Sequence, residues 1–140
     1  YIKSKEALFV RIHDMALQVA ADRIRTAIAD LHDPWERLEA ACVTMLEIQL
    51  DPKSLTMPLM NDFASTPAEI RDRLVAKRDT FELIFRDLVN ELPLPPTFDR
   101  GVYRLLLLTL LNNVSGWYKE GRMGPREIGR QIVEIFRHGA

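Results

Sequence analysis

The chain has 140 residues, 47% of them apolar and 28% charged, which is the balance of one folded domain and not of a disordered segment. Its 19 basic and 20 acidic side chains leave a net charge of −1, without the basic excess of a nucleic-acid-binding surface. The longest uncharged run, Leu105–Tyr118, has 14 residues, short of the roughly 20 a membrane helix needs, and the single cysteine, Cys42, excludes an internal disulfide.

The chain opens "YIKSKEALF", with no charged stretch followed by an apolar run and no cleavage site, so this is not a targeting segment. Ser4 has the chemistry of an N-cap and Glu6 sits where a first-turn carboxylate is favoured. The pattern predicts a helix from about Lys5 to Asp30 with Leu8, Ile12, Met15, Val19 and Ile24 on one stripe, and something is expected to precede it. His32-Asp33-Pro34 ends it. Three later helix starts share one logic: "DPWE" (33–36), "TPAE" (66–69) and "GPRE" (124–127) each place a capping residue, proline at N1 and glutamate at N3. They predict helices over about 34–50, 67–92 and 125–138. "DPKSLTMPLMNDFAS" (51–65) reads as one short or broken helix, and "LPLPP" (92–96) as a loop, because stacked prolines cannot continue a helix. A further helix follows over about 98–119, leucine-rich on every side at 105–111 and therefore covered on more than one side. No strand alternation is present, and six helices in one all-α domain are expected.

Enzymatic signals are weak. There is no Gly-rich phosphate loop or nucleophile elbow, and His13, His32 and His138 have no Cys or His partners at metal-ligand spacing. The sequence therefore predicts neither an enzyme nor a metal site nor a cofactor. Cys42 lies on the stripe Leu38, Ala41, Cys42, Met45, Leu46 and reads as core. More informative are polar residues on apolar faces. Arg78 falls on the stripe Ile70, Leu74, Phe81, Phe85, Leu88, Leu92. It either pairs with a carboxylate of another helix, reaches out at the stripe's margin, or meets an anionic group of a ligand. Asn112 and Asn113 interrupt the leucine-rich helix, so at least one should point inward, toward backbone groups, another amide or a ligand. Met45, Met57, Met60, Phe63, Phe81 and Phe85 come from three successive elements. They are either core or the walls of an adaptable apolar chamber with few polar groups.

At this point the opening stretch gains a meaning. "YIKSKEALF" resembles the junction in TetR-family transcriptional repressors, where an aromatic-rich "Y-x-F/I-x-S-K-E-x-L" run leads from the helix-turn-helix domain into a long connecting helix; Tyr1, Ile2, Ser4, Lys5, Glu6 and Leu8 carry the match. "WYKEGRMGPREI" is similar to the turn joining the last two helices in one subgroup, through Trp117, Tyr118, Gly121, Pro125, Glu127 and Ile128. The resemblance implies that residues 1–4 end a helix-turn-helix domain and that residues 5–140 form a ligand-binding domain. It implies a cytoplasmic homodimer that reads operator DNA through the helix-turn-helix, with Tyr1, Lys3 and Lys5 at phosphates. It also implies release of the operator when a small, largely apolar effector binds, an acyl-CoA thioester in many members of the subgroup. On this reading Met45, Met57, Met60, Phe63, Arg78, Phe81, Phe85, Asn112 and Asn113 line the ligand site. The last two helices form a four-helix dimer interface through Tyr103, Leu107, Leu110, Val114, Trp117, Ile128, Ile132, Ile135 and Phe136. The competing reading is a helical protein-interaction module with no small-molecule ligand.

Overall fold

A computed structural model describes the backbone of residues 2–52 and 67–139, with side chains from residue 5 onward. The described residues form five α-helices and no strand: α1 (Ile2–Ile28), α2 (Pro34–Gln49), α3 (Ala68–Asn90), α4 (Arg100–Asn113) and α5 (Pro125–Gly139). A single 3₁₀ turn, Val114–Gly116, follows α4. The broken helix expected over 51–65 lies outside the described residues, apart from a turn at its start.

Helix α2 is the central element. Its buried residues include the unbroken run Ala41, Cys42, Val43, Thr44, Met45, Leu46, which at 100° per residue covers more than a full turn of the helix. Helices α1, α3, α4 and α5 all pack against it. The approach to α5 is close at Gly129, where a β-carbon would stand 2.9 Å from Val43 Cγ2 and 3.2 Å from the Val43 backbone. Burial raises the Cys42 thiol far above its ordinary pKa, so this thiol stays protonated and inert.

Local chemistry fixes the helix ends. Asp33 Oδ2 accepts from the Glu36 N–H at 3.0 Å, the expected cap of α2, and Asp99 Oδ1 accepts from Val102 N–H at 2.9 Å at the start of α4. Two arginines close C-termini, whose last carbonyls otherwise lack donors. Arg37 Nη1 donates to the Ile28 and Leu31 carbonyls at 2.9 and 3.2 Å, while its Nε reaches Glu91 Oε2 at 3.1 Å. Arg100 Nη1 donates to Val89 O at 2.7 Å. Gly121, in the turn before α5, has φ 97°, a conformation that suits only a residue without a β-carbon.

Three expectations need correction. The first helix is already running at Ile2, so Ser4 lies within it and is not its cap. Of its predicted stripe only Ile24 is buried; Leu8, Ile12, Met15 and Val19 are exposed, and the inward face is Val10, His13, Leu17, Ala20, Ala21, Ile24 and Ile28. The helix carries two apolar stripes, and the one with small alanines lets α2 approach. The leucine-rich helix is also shorter than expected, because its last turn tightens to 3₁₀ and Trp117 and Tyr118 close onto Val114 O.

The Gly129–Val43 approach gives a direct test. Gly129→Val should push α5 off α2 and lower stability by about 1–3 kcal/mol, read as a lower urea midpoint with an unchanged m-value.

Candidate functional site

The interior of the bundle is apolar in two blocks with a polar layer between them. The larger block holds Met45, Phe81 and Phe85 with most of the other buried side chains. The smaller one is Val10, Ile70 and Leu74, flanked by Phe9. Along α1 the residue between the blocks is His13, wholly buried. Along α3 it is the pair Lys77 and Arg78. Burial holds the His13 imidazole below its ordinary pKa, opposed by Asp14 and reinforced by Arg78 and Lys77. Lys77 Nζ stands 3.2 Å from Asp14 Oδ1 and joins the two helices. The Arg78 side chain is 33% exposed, with Nη2 3.9 Å from Asp79 Oδ1.

One turn beyond Arg78 a second polar group is built from three helices. Gln49 Nε2, at the end of α2, donates to Asn112 Oδ1 of α4 at 2.9 Å. Asn112 Nδ2 in turn donates to Glu82 Oε2 of α3 at 3.4 Å, a long contact. Gln49 is only 6% exposed, and its Oε1 has no hydrogen-bond partner among the described residues. A buried acceptor left without a donor costs about 1–3 kcal/mol. Burial raises the Glu82 carboxyl above the ordinary carboxylate pKa, against the opposing effects of Arg78, the Asn112 hydrogen bond and Arg104.

The structure sorts the predicted ligand residues. Met45, Phe81 and Phe85 are buried in the larger apolar block. Arg78 and Asn112 lie in the polar layer. Asn113 does not join them: its Nδ2 donates to Thr109 O at 2.7 Å on the exposed side of its own helix, because one step along a helix turns a side chain through 100°. Met57, Met60 and Phe63 lie outside the described residues, as do Tyr1 and the side chain of Lys3; Lys5 is exposed near the start of α1. Gln49, Glu82 and His13 were missed. Gln49 was detectable, since it follows Met45 by four residues on the buried side of α2, the same signal that singled out Arg78.

The opposite side of α4 is apolar and uncovered. Val102, Leu105, Leu106 and Leu110 of α4, with Phe98, Trp117 and Ile135, are exposed, Trp117 to 60% and Ile135 to 67%. Two hollows indent this face. One of about 390 Å³ lies between Phe98, Val102, Leu106 and Ile135, the other of about 380 Å³ between Trp117, Met123, Ile132 and Ile135. Of the predicted interface, Leu110, Trp117 and Ile135 are on this surface, and Ile132 and Phe136 are half-buried at its edge. Tyr103, Leu107, Val114 and Ile128 are instead inside the protomer's own core. Tyr103 packs edge-on against Phe136, ring centroids 5.2 Å apart, and burial pushes its hydroxyl up to about 12. Leu106, on the same exposed face, was not among the residues predicted for the interface.

Residues 31–140 match the tetracyclin repressor-like C-terminal domain family, and the chain belongs to that family. A TetR-family transcriptional regulator from Bordetella parapertussis 12822 has the same fold, with a TM-score of 0.76 at 20% identity over 94% of this chain and 71% of that one. AibR, solved in complex with isovaleryl coenzyme A and operator DNA, gives 0.76 at 18% identity over 96% and 76%. The superantigen PfiT gives 0.81 at 19% over 95% and 73%. Identities this low establish a shared fold alone. No curated protein sequence matches the chain.

The raised Glu82 pKa has a measurable consequence. A carboxyl whose folded pKa lies above its unfolded one contributes its full stability at low pH and loses it as pH rises through the folded value. Glu82→Gln cannot ionise, so its melting temperature relative to wild type should climb as pH rises from the ordinary carboxylate value through the raised folded value, and level off above it. A difference that shrinks with pH would show that Arg78 stabilises the ionised form.

Proposed function

We propose that this chain is the effector-binding and dimerisation part of a TetR-like transcriptional repressor, and that its effector is a small, largely apolar molecule with an anionic group, of the acyl-CoA kind. The observation that carries this reading is the polar layer inside an otherwise apolar bundle, where α2, α3 and α4 bring Gln49, Glu82 and Asn112 together one turn from Arg78. Apolar walls with a few convergent polar groups are the usual make-up of a small-molecule site. Arginine's planar fork suits a carboxylate, thioester or phosphate oxygen, and each CH₂ of an acyl chain removed from water adds about 0.8 kcal/mol. AibR, with the same fold, holds isovaleryl coenzyme A, which supports the choice of ligand class.

In this reading α1 is the lever. Its 27 residues form one unbroken helix, about 40 Å long at 1.5 Å per residue. Tyr1, Lys3 and Lys5, at the end remote from Ile28, are assigned to DNA phosphates, contacts that position a protein without reading bases. The bases are read by a helix-turn-helix preceding α1, in the cytoplasm. An effector acts by fitting one spacing of two such reading heads better than the other. The exposed face of α4 and α5 is assigned to the second copy, since a monomer rarely leaves so large an apolar patch in water.

Two measurements test this. Isovaleryl coenzyme A is the first probe: Arg78→Leu should weaken its binding by roughly tenfold to a hundredfold, the value of a charge-assisted hydrogen bond, with the melting temperature little changed. Collapse of stability with binding retained would make Arg78 structural. Separately, Ile135→Glu should turn the dimer into monomer by analytical ultracentrifugation. Ile135 is better suited than Ile132, which also packs against the protomer's own core. A dimer that survives Ile135→Glu has its interface elsewhere.

A further inference from the structure

We propose that Gln49 is the contact for a neutral polar group on the apolar part of the effector, a carbonyl or a hydroxyl, and that the ionisation state of Glu82, passed through Asn112, decides which hydrogen-bonding character Gln49 offers it. This rests on the reading of the domain as effector-binding.

The argument is one of donors and acceptors along the three-residue chain. An ionised carboxylate only accepts. Asn112 must therefore turn its Nδ2 toward Glu82, which leaves Oδ1 for Gln49 and obliges Gln49 to donate through Nε2. That is the arrangement found: Asn112 Nδ2 to Glu82 Oε2 at 3.4 Å and Gln49 Nε2 to Asn112 Oδ1 at 2.9 Å. What remains is Gln49 Oε1, fully buried and without a partner among the described residues. It calls for a donor, such as a hydroxyl.

Protonation of Glu82 supplies an O–H at the other end of the chain. That O–H can donate to Asn112 Oδ1 once the amide has rotated. Asn112 Nδ2 then donates to Gln49 Oε1, and Gln49 Nε2 becomes the group presented to the ligand. No atom moves far and no bond is lost; two amides turn over together. A ligand that can only accept, such as a ketone or thioester carbonyl, must select this protonated arrangement and so takes a proton from solvent onto Glu82. A hydroxyl fits either arrangement.

The charges bearing on Glu82 are Arg78 and Asp79 of its own helix and Arg104 of α4; α2 contributes the neutral Gln49. On the α1 side His13 and Asp14 interact with Lys77 and Arg78. The burial that favours a protonated Glu82 makes the second arrangement accessible nearer to neutral pH than a solvated glutamate would.

The test compares two probes of equal length, 2-octanone, which only accepts, and 1-octanol, which also donates, by calorimetric titration of the intact protein across pH. In wild type the Kd of 2-octanone should rise by up to ~10-fold per pH unit as pH climbs through the Glu82 titration, with net proton uptake in buffers of different ionisation enthalpy. The Kd of 1-octanol should stay flat. Glu82→Gln and, independently, Gln49→Leu should each make the ketone's Kd the same at every pH. If either folded variant keeps the wild-type pH profile, the proposal is overturned and the effector reading stands. Binding of isovaleryl coenzyme A without either octyl probe also overturns it alone. If none of the three binds, the effector reading falls and the proposal falls with it.

Discussion

Helix α2 carries a buried run, residues 41–46, that covers more than one full turn, and a helix of that kind is stable only when it is surrounded. The other four helices are arranged by that requirement. Its crossing with α5 is close because Gly129 has no side chain to hold Val43 away. Its first turn carries Arg37, whose guanidinium reaches the last carbonyls of α1 and the carboxylate at the end of α3. One side chain on the central helix thus ties down the ends of two neighbours. At the far end Gln49 is still inside the bundle when α2 stops, and it is there that a polar group is forced into contact with the interior.

The pairing of α1 with α3 follows a different rule. Two apolar blocks are separated by His13, Asp14, Lys77 and Arg78, so the helices are zipped at each end and bridged by charge between. A uniformly apolar seam would gain more from burial. The polar layer gives up some of that gain, and in return it marks the register, since a shift along α1 would part Lys77 from Asp14. A long helix held in a single register transmits a displacement along its axis without slipping, which a lever requires.

Much of this was legible in the sequence. Asp33-Pro34 named the start of α2, and the proline-glutamate pairs placed α3 and α5 to within about a residue, because capping chemistry is local and written in adjacent positions. The stripe on α3 was read correctly, since large side chains at helical spacing left one choice of face. The face of α1 was not: Leu8, Ile12, Met15 and Val19 outweigh an inner face made partly of alanines and a histidine, and only the neighbouring helix decides between them. The same competition arises at Leu107 of α4 and at Val114 just after it, which look like any other leucine-rich surface until the core of the protomer is seen to claim them. Gln49 and Glu82 needed tertiary structure outright, for a hydrogen-bonded chain across three helices has no fixed sequence spacing.

Helix α4 joins these parts, and its shortness gives it that role. Its 14 residues present Asn112 to the polar layer on one side and Leu106 and Leu110 to the uncovered apolar face on the other. A rigid helix of four turns cannot move one face without the other. On the proposed reading, whatever settles beside Asn112 therefore also bears on the contact between the two copies, and through the α1 helices on the distance between their reading heads. Coupling of this sort needs no chain of intermediate residues. It needs only that the ligand and the partner press on opposite sides of the same helix, and that α2, packed against the other four described helices, leave α4 no other way to yield.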